Sequence, residues 1–449
     1  MGKIKNMLVL GLVLSLTYSC ESVVADLNND PNNLTDVPVG LMINHIVLNT
    51  ASVAEADPAR ITAMWADQMT GSDRQYISYD NYNILSSDFD AIWADIYQSG
   101  VAQAKIAEEK ALTDGNAEYA GVAQIIRAYY FGEAAALFGN VPFSEVGDFT
   151  SFPDPKYDNQ LTVFSGVQEL LTKGAGNVID FKNGFGIYET SSSWKSIASA
   201  LSARYHLLTG NYSAALSAAE AAAFDTPASS VNITHSTSNY SENLFWQFAV
   251  EQRDGYLTFG DSYMSKILSS DNAAYRGNSK TDETARKAYY ITDDLLNTSS
   301  GAFAIDASFP LISFEEVQLI IAECAVRAGD LDKAITALNN VRAAWDARLG
   351  GGLYVDYMLT DFATGGIANT QSESQEDALL REILEEKYLS VIGLPTFYDV
   401  NRTKNFLGVS TDRTENSIAQ RFIYPSSEES SNANFPGLVD LFVPTPVNE

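Results

Sequence analysis

The residues best placed to do chemistry are aromatics that sit in polar surroundings. The chain holds 22 Phe, 23 Tyr and 5 Trp, 11% of its length, and several lie among Gly, Ser, Asn and Asp rather than in apolar runs. Tyr76, Tyr79 and Tyr82 share one such stretch. Tyr240, Phe245, Trp246 and Phe248 share another, and Trp345 and Tyr354 border a third. A sugar ring has apolar faces of C–H groups and a rim of hydroxyls. A flat aromatic face covers the first, while Asp, Asn, Gln and Arg bond the second. Tyr76, Tyr79, Tyr82, Trp246, Trp345 and Tyr354 are therefore the candidate ligand-binding residues. Trp93, Tyr97 and Trp194 fall at helical spacing and are expected in the core.

Other chemistries find little support. The sequence has no G-x-S-x-G elbow, no phosphate-binding glycine pattern and no zinc or calcium spacing. Its 57 carboxylates offer many pairs for glycoside hydrolysis, yet none stands out. No catalytic residue, cofactor or metal is expected. His45, His206 and His235 are scattered, and the two cysteines, Cys20 and Cys324, cannot build a metal site. Cys324 lies in an apolar helical stretch and is expected as a small core residue. A formal charge of −29 repels nucleic acid and favours neutral ligands over anionic ones.

These residues need elements to hold them, and the N-terminus comes first. Lys3 and Lys5 precede the apolar run of residues 7–16, which ends at Thr17-Tyr18-Ser19-Cys20. Ten helical residues span about 15 Å, half of a hydrocarbon core of about 30 Å. The run therefore reads as a secretory signal over residues 1–19 with Cys20 as the lipidation site. Residues 20–37 are rich in Asn, Asp and Pro and read as a lipidated tether. Residues 38–449 read as one domain.

Within that domain the pattern is helical, with apolar residues at three- and four-residue spacing. Residues 89–112 and 119–138 form one helix hairpin across Gly115-Asn116. Residues 194–208 turn at Gly210-Asn211 into a second helix, and residues 314–327 turn at Gly329-Asp330 into another. The turn glycines, the Asn or Asp after them and the alanine five residues on coincide in these two pairs. Such units are the grammar of tetratricopeptide repeats, and residues 375–391 would supply a fourth. Between them lie long polar insertions at 71–87, 139–159, 224–257, 271–309 and 350–370. Long loops on a helical body are usually functional. Short strands are expected in them, for example around residues 243–250, where aromatics alternate with polar residues. The fold class is thus mostly α, with four degenerate hairpins, irregular insertions and minor β.

Taken together, these segments resemble the SusD/RagB family of outer-membrane lipoproteins. The resemblance rests on Asn29-Asp-Pro-Asn-Asn33, Trp65-Ala-Asp-Gln68, Trp93 with Ile96-Tyr97, and Ala136-Leu-Phe-Gly-Asn-Val-Pro-Phe143. It continues through Phe314-Glu-Glu316, Ala322-Glu323, Glu385-Glu-Lys-Tyr388, Gly393, Asp399, Arg402-Thr403, and Arg421-Phe-Ile-Tyr-Pro425. The Asp-Pro-Arg usual before the Glu315 helix is missing. The resemblance implies a SusD-like fold whose helical side packs against a SusC-like TonB-dependent transporter barrel, with variable insertions taking the ligand. It also implies a lipid-anchored, cell-surface location at the outer membrane. Trp93, Phe314 and Arg421 carry over as structural residues. The expected ligand is an oligo- or polysaccharide, a neutral glucan or fructan such as a β-glucan. The alternative is a peptide, as in RagB-type peptide importers.

Overall fold

The computed structural model describes residues 37–148, 150–409 and 417–449. The expected signal, Cys20 and the tether up to residue 36 lie outside the described residues. The chain divides into a short unit, Met1–Leu41, and a main unit, Met42–Glu449. The main unit carries the insertions and the elements that position them.

Helices dominate it. The longest, Ala117–Phe138, is buried on nearly all sides, because the helices Gln103–Thr113 and Gln160–Asn177 cover its two flanks. Small residues make the second crossing close: a Cβ added at Gly121 or at Gly174 would lie 2.9 Å from the other's carbonyl oxygen. Asn116 caps the long helix by accepting the Tyr119 N–H at 3.0 Å. The helix expected over residues 89–112 is present, with one irregular stretch. An α-helical segment, Asp90–Ala94, passes through a π-helical stretch, Asp95–Ala102, into Gln103–Thr113. Gly100 lies against the Tyr130 ring there, so the wider turn occurs where the backbone meets a large side chain.

The two look-alike hairpins have the same construction. Trp194–Leu208 leads through Gly210 (φ 69°) and the capping Asn211 into Tyr212–Ala222. Phe314–Arg327 leads through Gly329 (φ 79°) and the capping Asp330 into Leu331–Arg348. The positive φ closes the first helix and the side-chain cap opens the second. Ala215, Ala219, Ala334 and Ala337 are all buried where the partners meet. Gln375–Ser390 packs against Phe314–Arg327 and is followed by Leu394–Arg402, which rests on Asp57–Trp65.

Buried polar side chains fasten distant parts together. The Gln68 amide donates to the Tyr388 and Val391 carbonyls at 2.8 and 2.7 Å and accepts the Gly393 N–H at 2.9 Å. Arg204 clasps Glu316 with two bonds of 2.7 Å. Arg402 does the same for Glu323, and Arg421 reaches the Phe138 carbonyl. Trp93 bonds Glu428 at 3.2 Å, and Ser230 accepts the Phe314 N–H at 2.8 Å. Each is satisfied inside the protein, as buried polar groups require. Cys324 is buried, as expected.

Strands are short and join the insertions to one another. Thr70–Gly71 pairs with Leu257–Thr258, Val141–Pro142 with Tyr157–Asp158, and Ile291–Thr292 with Leu295–Leu296. Val231–Ile233 lies between Tyr188–Glu189 and Phe309–Ile312. The strand expected around residues 243–250 is a correction: Leu244–Trp246 and the π-helical turns Gln247–Gln252 occupy it. The Asn243 side chain caps this segment by accepting the N–H groups of Phe245 and Trp246, both at 3.0 Å. Phe245 and Phe248, three apart, are then buried on one side, so the alternation was one face of a helix. Among the described residues no helix is long and apolar enough to cross a membrane.

Candidate functional site

The first and third insertions meet at the two-stranded pairing of Thr70 with Thr258 and Gly71 with Leu257. Ser72 extends the contact, its N–H donating to the Tyr256 carbonyl at 2.8 Å and its hydroxyl lying 2.6 Å from that of Thr258. The helix Arg74–Asp80 starts there, with Asp73 as its cap. Residues more than 180 positions apart in sequence thus share one surface.

Tyr76 is the keystone of that surface, not its face. It is 2% exposed, accepts a hydrogen bond from Arg60 Nε at 3.0 Å, and has rings on three sides. Tyr79 lies 5.6 Å away, Phe248 4.8 Å and Tyr256 6.2 Å, centroid to centroid. The Arg60 guanidinium covers Phe248 at 4.4 Å and is held by Asp57 at 2.6 Å. Tyr79 and Tyr256 are half-buried, so each keeps part of its ring open. The Tyr79 hydroxyl donates to Asp88 and accepts from Gln75, both at 3.1 Å. Burial, and then the Asp88 charge, push its pKa up to about 12, so it stays a neutral hydroxyl. Arg74 and Arg253 lie 5.8 and 5.7 Å from the Tyr256 ring, and both are exposed.

Trp246 is half-buried on the helical turn that also carries Phe248. The root of this turn is fixed by a buried clamp. Glu55 accepts the Leu244 N–H at 2.7 Å with one oxygen and meets His235 Nε2 at 2.8 Å with the other. Desolvation would lower the His235 pKa, but the Glu55 hydrogen bond and charge outweigh it and raise it. Asn243 adds a 2.9 Å bond to the Ala307 carbonyl. Tyr240, between His235 and Asn243, is 96% exposed.

The six sequence candidates do not form one site. Tyr76 and Tyr79 share a cluster with the Phe248 turn that bears Trp246. Tyr82 points elsewhere, its ring 5.9 Å from Trp65 and edge-on to Phe442 at 5.2 Å. Trp345 is 1% exposed. Arg286 and Arg348 lie over its ring at 4.2 and 4.3 Å, and its N–H donates to Ser390 at 3.0 Å. Tyr354 is 8% exposed and donates to Glu283 at 2.6 Å. Tyr76, Trp345 and Tyr354 therefore act as packing residues in this structure, which narrows the expectation to Tyr79 and Trp246. Tyr256, Arg74 and Arg253 were missed. Their signal was the turn Asp254-Gly255-Tyr256, next to a strand too short to see.

The surface offers open aromatic edges beside exposed Gln75, Arg74, Arg253 and Asp254. Such a set can cover the C–H face of a sugar and bond its hydroxyl rim. Asp57 and Asp88 already hold Arg60 and the Tyr79 hydroxyl.

The family model described as starch-binding and associating with the outer membrane, SusD-like, matches residues 31–425. Among solved structures the chain is similar to a SusD/RagB family protein from Bacteroides thetaiotaomicron, at 18% identity and a TM-score of 0.62, covering 89% of this chain and 95% of that one. It is similar to a SusD-like protein of Bacteroidetes AC2a, at 15% identity and a TM-score of 0.65, covering 88% and 95%. A chitin-binding protein shares the fold at 14% identity and a TM-score of 0.57, covering 88% and 94%. None of the curated proteins is significantly similar to it.

Proposed function

The chain belongs to the SusD-like family, and from that premise we propose that it captures a neutral glycan at the outer-membrane surface and hands it to a SusC-like TonB-dependent transporter. The ligand class is a glucan or fructan, with a β-glucan as the working choice. Anchoring is through acylated Cys20, and the role is binding without catalysis.

The observation that carries this reading is the joining of the first and third insertions around Tyr76. That joining leaves Tyr79, Trp246 and Tyr256 partly open beside exposed polar side chains. The pieces come from three segments held by a strand pairing and the Glu55 clamp. The rings are therefore set before ligand arrives, and little ordering cost falls on binding. Arg74 and Arg253 give the surface a local positive element within a strongly acidic chain. It is too small to reverse the preference for neutral sugar beyond a screening length of about 8–10 Å.

The test is affinity electrophoresis of residues 21–449 through gels cast with neutral and anionic polysaccharides. A neutral glycan should retard the protein, and Trp246→Ala should weaken retention at least tenfold. Retardation by anionic polymers alone would contradict the charge argument. No retardation by any polymer, with peptides found by mass spectrometry on the purified protein, would replace glycan with peptide as the cargo.

A further inference from the structure

Behind the Phe245 turn lies a cavity of about 200 Å3 that the surface cluster does not use. Several elements line it. Asn232 comes from the central strand Val231–Ile233, and Tyr289 from the end of the helix Thr284–Tyr290. Ser308 precedes the strand Phe309–Ile312. Glu315 opens the helix Phe314–Arg327, and Trp345 and Arg348 end Leu331–Arg348. Its wall is shared with the proposed capture surface: Phe303 and Phe309 line the cavity and lie 5.2 and 5.7 Å from Phe245, the residue beside Trp246.

The polar groups there have unused capacity. Glu315 is 3% exposed, and its Oε1 takes Arg348 Nη2 at 2.6 Å. Its other oxygen, the Tyr289 hydroxyl, the Asn232 amide and the Ser308 hydroxyl make no hydrogen bond among the described residues. An acceptor, an amide and two hydroxyls thus line one half-open space, beside Phe303, Phe309 and Trp345. Among the described residues Glu315 and Arg348 are the only charged ones lining it, so the cavity is electrically balanced. Neither an ammonium nor a carboxylate gains from entering it, whereas a neutral polyol exchanges hydroxyls for the waters these groups would otherwise hold. The volume has room for several waters. It is well below the ~300–1,000 Å3 of a site for a drug-sized molecule, which suits one small ring and not a chain.

We propose that this cavity is a second carbohydrate pocket that takes a single neutral sugar ring, either a free monosaccharide or the terminal unit of the captured glycan. This rests on the glycan-capture reading. The Tyr289 ring would lie against a C–H face. Asn232 and Glu315 would bond the rim, with Arg348 keeping the carboxylate aimed.

The test is calorimetric titration of residues 21–449 with methyl glucosides, galactosides and mannosides, and with glycylglycine as the charged control. Ser308→Trp fills the mouth from an exposed position, and Asn232→Leu removes the amide should the first variant fold poorly. At least one glycoside should bind. Ser308→Trp should weaken it tenfold or more with an unchanged melting temperature. If glycosides bind equally well to Ser308→Trp and Asn232→Leu, the cavity is not their site. If polysaccharide retards the protein but no glycoside binds, the pocket is refuted and capture stands. Tighter binding of glycylglycine than of any glycoside would overturn the assignment to sugar. Failure of every glycan in both assays would remove both readings.

Discussion

Two regions of this protein use the same residue types to opposite ends. Around Tyr76, arginines and aromatics from the first and third insertions build a surface. Around Trp345 and Tyr354, arginines and aromatics from the fourth and fifth insertions build an interior. In both, guanidinium groups lie over rings: Arg60 over Phe248 at 4.4 Å, and Arg342 over Tyr357 at 3.8 Å. The difference lies in the carboxylates. In the interior, Arg276 faces Glu283, Glu382, Glu385 and Glu386, and Arg286 holds Glu386 at 2.8 Å. In the surface cluster, Arg253 makes no ion pair among the described residues, and Arg74 only an exposed one with Asp73 at 3.7 Å. Where each cation is answered, the rings can be buried. Where it is left to water, they stay partly open and available.

The contrast between the two regions is tested hardest at Arg276. Arg276→Met leaves four carboxylates around an empty centre. Removing one partner of a buried ionic cluster costs about 3–5 kcal/mol, so urea denaturation should show a loss of that order. A loss below about 1 kcal/mol would mean the cluster is wetter than its burial implies. Trp345→Ala and Trp246→Ala form the next pair. The buried ring should cost roughly 3–5 kcal/mol of stability, as large aromatic truncations in cores do. The half-open ring should cost about 1 kcal/mol or less, its penalty appearing in ligand retention instead. Equal losses would erase the distinction between the regions.

A smaller effect sharpens it through pH. Burial, helped by Glu382 and against Arg276, raises Glu385 to about 7. A carboxyl whose folded pKa exceeds its ordinary value of 4.5 stabilises fully below that value and loses the contribution as pH rises through the folded one. His235, raised by Glu55, also loses its contribution as pH climbs past 6.5. Burial would raise Glu386 and Glu323, yet Arg286 with Arg276 and Arg402 respectively lower them to about 2. Their contribution is full above pH 4.5 and fails only as pH falls toward 2. Denaturation midpoints should therefore decline from about pH 5 to about pH 8, and Glu385→Gln should flatten part of that decline. An identical slope in the variant would place the titration elsewhere.

The helical half of this architecture could be read from the sequence, and the site only in fragments. Gly210-Asn211 and Gly329-Asp330 announced their hairpins because the cap and the positive-φ turn are local chemistry, set within about four residues. Tyr79 and Trp246 stood out as candidates because aromatics in polar stretches are conspicuous. What stayed hidden was long-range. Nothing near Tyr76 says that Phe248 and Arg60 will cover it, and nothing near Trp345 says that Arg286 will roof its ring. Glu55 and His235, 180 positions apart, are an ordinary acid and an ordinary histidine until the fold joins them. The segment after Asn243 misled for a different reason: alternating aromatics suit a strand, but one carboxamide capping two N–H groups tipped it to helix.

The Gln68 amide also bears on the order of events in the life of the chain. Its partners, Tyr388, Val391 and Gly393, arrive 320 to 325 residues later. Until they are synthesised, the Gln68 amide lacks these partners, and the shelf on which Leu394–Arg402 will rest stays bare. Closing so wide a loop is slow beside forming a local hairpin. The early helices thus remain unlocked while the chain is still growing, and the body closes only when its late helices return to its beginning.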